Sequence, residues 1–94
     1  MRLSHAGLMV LKACLDRPGD RQYGYDLMQA TGLASGTLYP LLMRFEQEGW
    51  LISEWEAVEP SAEKRPRRRL YRITGSGQRA ASQFLGNLGV GVAV

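Results

Sequence analysis

The 94-residue chain has few of the side chains from which catalytic and metal centres are built. It holds one cysteine, Cys14, and one histidine, His5. A single thiol gives no disulfide framework, and the sequence shows no metal-ligand spacing, no phosphate-cradling glycine motif and no nucleophile-elbow serine. Because no base and nucleophile pair is present, the sequence predicts a protein that is not an enzyme and holds no cofactor or metal.

Long hydrophobic runs are also absent. No stretch approaches the roughly 18 apolar residues that a membrane span needs, and the first five residues lack the apolar core and cleavage site of a signal peptide. We therefore expect a cytoplasmic protein with no membrane partner. Cys14 falls in the apolar pattern of the first predicted helix, which favours a buried structural thiol in a reducing compartment over a redox sensor.

The most strongly patterned stretch is 34–49, which predicts a short amphipathic helix. Ser35 or Thr37 can supply the N-cap oxygen, and Gly49 stands where a left-handed residue ends a helix. Pro40 favours a regular helix that begins at Thr37 rather than much earlier. The apolar stripe of this helix consists of Leu38, Leu41, Leu42 and Phe45.

Three further helices are predicted from apolar residues at three- and four-residue steps. The first runs over 4–16. The second covers 25–31 and ends at Gly32. The last has Thr74 as its N-cap and runs over 77–88, so helices flank the central stretch on both sides.

Two segments rich in aromatic and β-branched residues, 50–58 and 68–74, predict antiparallel strands joined by a polar, proline-containing tip. In the second strand Tyr71 and Ile73 share one face, which we expect to pack on the helices. Residues 21–23 favour a short edge strand. A hairpin that directly follows a pair of short helices is a wing.

The order of these elements predicts a winged helix-turn-helix of the α+β class, mainly α, with three N-terminal helices, a two-stranded wing and one C-terminal helix. We assign 1–73 to the winged helix-turn-helix domain and 74–94 to a short C-terminal helix and tail. We expect a homodimer, with the first and last helices as the available surfaces. The predicted dimer contacts are Leu8, Leu11, Ala81, Phe84, Leu85 and Leu88.

The charge distribution is lopsided although the net charge is only +3. Five glutamates between 46 and 59 precede a basic segment at 64–72. Such a cluster can bind a polyanion, and the alternative is a merely solvated charged loop.

Four segments in order, YGYDL at 23–27, SGTLYPLL at 35–42, FEQEGWL at 45–51 and RLYRITGSG at 69–77, resemble the PadR family of bacterial transcriptional regulators. The resemblance implies a dimeric winged helix-turn-helix that binds double-stranded operator DNA, usually as a repressor. It also implies that a small-molecule effector often relieves repression, although the sequence does not identify one.

By position, the resemblance implies a recognition helix in the central stretch, a supporting helix that begins at Tyr25, and a basic wing. For each of these residues, residue chemistry also allows a role without DNA contact. Ser35 and Thr37 can serve as helix caps, and Tyr39 can serve in packing alone. Arg44 can contact a phosphate or pair with Glu48. The predicted DNA-binding residues are Tyr25, Ser35, Gly36, Thr37, Tyr39, Pro40, Arg44, Lys64, Arg65, Arg67 and Arg68.

The alternative function is a winged-helix module that binds another protein through its apolar last helix and does not bind DNA. Single-stranded nucleic acid is less favoured, because the aromatic residues fall at core-like positions and form no stacking platform. Strand tryptophans that pack on a helix are favoured over tryptophans that line a ligand pocket. The aromatic residues at core-like positions are Trp50, Trp55, Tyr71 and Phe84.

Overall fold

The computed structural model describes residues 3–57, 62, 64 and 66–87, with the backbone alone at residue 87. The fold is α+β and mainly helical, as predicted. Among the described residues, no helix has the length and apolar character needed to cross a membrane. The elements are α1 (His5–Leu15), β1 (Gln22–Tyr23), α2 (Gly24–Thr31), α3 (Ser35–Gln47), β2 (Leu51–Trp55), β3 (Arg69–Ile73) and α4 (Gly75–Asn87).

Most predicted helix ends are confirmed. The Ser4 hydroxyl caps α1 by accepting a hydrogen bond from the amide of Gly7 at 3.1 Å. Gly32 and Gly49 follow α2 and α3 with φ angles of 75° and 76°, a left-handed conformation that glycine adopts without steric cost. Thr74 caps α4, although that helix begins two residues earlier than predicted.

The predicted start of α3 is wrong. The helix begins at Ser35 and its N-cap is Ala34, so neither Ser35 nor Thr37 caps it with a side chain. The carbonyl of Ala34 ties the first turn by accepting from the amides of Thr37 and Leu38 at 3.0 and 2.9 Å. Pro40 lacks the amide that would bind the Gly36 carbonyl and its ring crowds that carbonyl, yet the helix extends through it.

The sheet has three antiparallel strands in the order β1-β3-β2. The predicted edge strand is therefore confirmed, and it pairs with the central strand through Gln22 and Tyr71. Tyr71 and Ile73 are buried and Arg72 is exposed, which confirms the predicted faces of β3. The sheet thereby covers one side of the helical core.

The core joins all four helices to the sheet. From α3 it takes Leu38, Leu42 and Phe45, none of which has exposed surface. Cys14 lies in the same cluster and is 2% exposed, so the buried structural thiol is confirmed. Burial raises the pKa of this thiol to about 12, because the thiolate would lose its hydration.

The end of α3, the start of β2 and the start of α4 meet at one polar junction. The Trp50 amide donates to the Phe45 carbonyl at 2.9 Å, and the Trp50 carbonyl accepts from the Thr74 amide, also at 2.9 Å. The Thr74 hydroxyl lies 2.7 Å from the Gly49 carbonyl oxygen and accepts from the Gly77 amide at 2.9 Å. Gly77 is buried against the Trp50 carbonyl, with no room for a Cβ atom.

We predict that Gly77→Ala destabilises the fold by about 2–3 kcal/mol, because the added methyl group would overlap the Trp50 backbone. Gly86→Ala in the same helix is the matched control, since nothing lies within 4 Å of a Cβ atom there. The control should be neutral or stabilising by up to about 1 kcal/mol. Urea denaturation monitored by circular dichroism measures the free energy of unfolding of both variants. Equal values would contradict the close packing of Gly77 on the Trp50 backbone.

We also predict a specific loss of stability in alkali. The Cys14 pKa is raised in the folded state from 9.0 to about 12, so the unfolded chain loses the proton first and stability falls as pH rises above 9.0. The stability difference between wild type and Cys14→Ala should fall by about 1.4 kcal/mol between about pH 8 and about pH 10. A difference that stays constant with pH would mean that the thiol is accessible to water.

Candidate nucleic-acid interface

The N-terminal end of α3 is open to solvent. Ser35, Gly36 and Thr37 are all exposed, and within the described part of the chain no side chain caps this end. The two hydroxyls are therefore not used as caps, and the amides of Ser35 and Gly36, which precede the first hydrogen-bonded amide of the helix, can bind an external acceptor. A helix N-terminus of this kind favours an anion such as a phosphate.

Two tyrosines stand beside this end. Tyr25, in the first turn of α2, is 65% exposed. Tyr39 is 43% exposed, and its ring and hydroxyl pack so closely on Gly24 that any Cβ atom there would overlap them. Tyr39 therefore packs α3 against the start of α2 while part of its ring stays at the surface.

Pro40 and Arg44 lie further along the exposed side of α3. Within the described residues, the Arg44 guanidinium forms no ion pair with Glu48, so the intrahelical alternative is not observed. Arg44 thus presents a positive charge on the same helix as the exposed hydroxyls.

A buried carboxylate closes the base of the wing. Glu56 is only 6% exposed, and its carboxylate accepts from the Tyr23 hydroxyl at 3.1 Å and from the Arg68 amide at 3.0 Å. The Glu56 amide in turn donates to the Arg68 carbonyl at 2.8 Å. The Arg68 guanidinium lies 4.9 Å from the centre of the Tyr23 ring, in range of a cation–π interaction.

Arg69 links the wing to α3. Its Nε donates to the Ser53 hydroxyl at 2.8 Å, and its Nη2 lies 3.5 Å from a carboxylate oxygen of Glu46 in α3. The same guanidinium lies 5.1 Å from the centre of the Trp55 ring. One side chain therefore contacts β2 and α3 together.

The predicted DNA-binding residues fall into two groups. The first lies along α3 from Ser35 to Arg44, together with Tyr25 in the first turn of α2. In the second, Lys64, Arg67 and Arg68 are exposed on the segment that returns to β3, while Arg65 lies outside the described residues. The interaction of Arg68 with Tyr23 places it at the base of the wing. The described residues contain no group of three or more His, Cys, Asp or Glu side chains that could hold a metal ion.

The predicted dimer contacts are largely part of the core. Leu11 and Ala81 have no exposed surface and Leu85 is 5% exposed, so their side chains are occupied within the single chain. Leu8 and Phe84 are half-buried and keep some surface for a second copy, whereas Leu88 lies outside the described residues.

Three residues of this surface are not among those predicted from the sequence. Arg69 belongs to the basic segment at 64–72, and the structure shows that it pairs with Glu46 of α3. Met43 is 63% exposed, which its helical position opposite the buried stripe could have indicated. The core-like position expected for Trp55 is wrong, because β2 passes the edge of the core there and the side chain is 60% exposed. Trp50 packs on Phe45 and Phe84, as expected.

We predict that Glu56→Ala loosens the base of the wing and destabilises the fold by about 2–4 kcal/mol, because two donors lose a charged acceptor. Hydrogen exchange at the Arg68 amide should accelerate. Glu54→Ala is the matched control, since that exposed carboxylate pairs with Arg21 at the surface and contributes about 1 kcal/mol or less. Equal effects of the two substitutions would contradict the role of the buried Glu56 carboxylate at the base of the wing.

Comparison with known proteins agrees with this geometry. The model of the transcriptional regulator PadR-like family matches residues 13–83. Transcriptional regulator Rv3488 of Mycobacterium tuberculosis is 41% identical over 51 residues, which are 54% of this chain and 43% of that protein. The chain therefore matches less than half the length of this curated relative.

Two solved structures are similar over most of the chain. A PadR-like transcription factor from Bacteroides fragilis has a TM-score of 0.72 and 25% identity, over 89% of this chain and 82% of that one. A PadR family regulator from Eggerthella lenta has a TM-score of 0.71 and 28% identity, over 88% and 73%. Since the family model covers most of the sequence, this chain belongs to the PadR-like family of transcriptional regulators and is not an enzyme.

Proposed function

We propose that the chain is a sequence-specific regulator that binds double-stranded DNA as a dimer on an inverted-repeat operator and represses transcription. The observation that carries this proposal is the pairing of Arg69 with Glu46, which holds the wing beside a recognition helix whose N-terminal end is exposed. A winged helix binds DNA through these two parts together.

The dimensions of α3 suit the major groove. Its 13 residues form a rod about 20 Å long, and a groove about 12 Å wide accepts a single helix. The N-terminal residues of such a helix contact base edges and phosphates. Ser35 and Thr37 offer hydroxyls there, and Gly36 allows the backbone to approach closely.

The wing supplies cations beside the helix. Lys64, Arg67 and Arg68 are exposed, and each phosphate that such a side chain neutralises releases counterions and strengthens binding. Binding through the wing therefore adds affinity for any duplex, whereas α3 adds the preference for one sequence.

A dimer provides the second half-site. Leu8 on α1 and Phe84 on α4 keep exposed surface, and these two helices pack against each other in the monomer. Contact between the same surfaces of two copies would place two recognition helices about one DNA turn apart. Repression needs only that this dimer occupies the operator and excludes the polymerase.

We predict that the protein enriches one inverted-repeat sequence from a library of random duplexes, with two protomers per bound duplex. Binding should weaken steeply with salt. Replacing Lys64 and Arg67 with glutamine should lower the affinity for all duplexes alike and reduce the slope of log K against log salt by about 1 for each phosphate that is no longer neutralised.

Arg79→Gln is the matched control, because this exposed cation lies on α4, which packs on α1 and β3. It should leave the salt slope unchanged. If no sequence is enriched and the wing substitutions change nothing even at low salt, the proposal is wrong. A winged-helix module that binds a protein partner would give that result.

A further inference from the structure

The outward side of α3 has a distinctive composition. Gly36, Pro40, Met43 and Gln47 are spaced four, three and four residues apart, so they form one stripe along the helix. All four are exposed, and the stripe lies opposite the buried one formed by Leu38, Leu42 and Phe45.

The first half of this outward stripe is nearly bare. Gly36 has no side chain, and the short ring of Pro40 carries no hydrogen-bonding group. A helix with such a surface approaches its target closely, and the next side chain along the stripe therefore reaches deepest. That side chain is Met43, which is 63% exposed.

The surroundings of Met43 favour DNA as its target. On the flank toward the sheet, the carboxylate of Glu46 is paired with Arg69, so that its charge is partly neutralised. On the other flank, Arg44 is exposed and presents a positive charge. The apolar Met43 side chain thus lies between a carboxylate whose charge is partly neutralised and a positive charge, and phosphates can approach both flanks.

We propose that Met43 is a specificity-determining residue that packs on the C5-methyl group of a thymine in each operator half-site. This inference rests on the proposed function and adds the base that one position of the helix selects. The thymine methyl is the apolar group on the base edges of the major groove, and an unbranched, flexible methionine side chain adapts its shape to it.

The test replaces each thymine of the enriched duplex with deoxyuridine, one position at a time, which removes only the methyl group. At one symmetric position the wild type should lose affinity by about fourfold, the factor for burying one methyl group. Met43→Ala should bind the thymine duplex more weakly and show no further loss with deoxyuridine. Met43→Leu should restore the discrimination.

Ile52→Ala is the matched control, because Ile52 is another exposed apolar side chain, 46% accessible, but lies on β2. It should keep the full thymine preference. Enrichment of a sequence in which no deoxyuridine weakens binding, or in which Met43→Ala keeps the same loss, would overturn this inference and leave the proposed function standing. Failure to enrich any sequence would overturn both.

Discussion

The structure depends on the polar junction where Thr74 meets the end of α3. Its hydroxyl contacts the Gly49 carbonyl and caps α4, while its amide binds the Trp50 carbonyl. Two chain segments that are distant in sequence, 49–50 and 74–77, are therefore held together by one threonine, and the buried Gly77 lets them approach closely. A junction of backbone hydrogen bonds allows little rotation, so the orientation of α3 relative to the sheet follows from it.

Because the hydrogen bonds at this junction hold α3 and the sheet together, weaker surface contacts can influence the spacing between helix and wing. The pair between Arg69 and Glu46 is partly exposed and contributes little free energy by itself. Because α3 and β2 are already aligned, the pair only has to select one spacing between helix and wing. The buried Glu56 performs the same task at the other end of β2, where it joins Tyr23 to the returning strand. Contacts within the chain thus set the position of α3 relative to the base of the wing.

Sequence reasoning succeeded where periodicity and turn chemistry determine the structure. The stripe of α3, the left-handed glycines and the caps at Ser4 and Thr74 depend on residues close in sequence, and all were predictable. The start of α3 was not, because Pro40 favours a later start, whereas the helix continues through this proline and begins at Ser35. The roles of Arg69 and Glu56 depend on partners 12 to 33 residues away, which local patterns do not reveal.

Closure of the hairpin at Glu56 and Arg68 has an evolutionary consequence. The Glu56 amide donates to the Arg68 carbonyl there and the Glu56 carboxylate accepts from the Arg68 amide, so hydrogen bonds join the two ends of the connection. A change of charge at an exposed residue of that connection, such as Lys64, therefore leaves the core packing undisturbed. Under the proposed function, the general affinity for duplexes can therefore drift through the wing without compensating mutations in the helices, while α3 keeps its sequence preference.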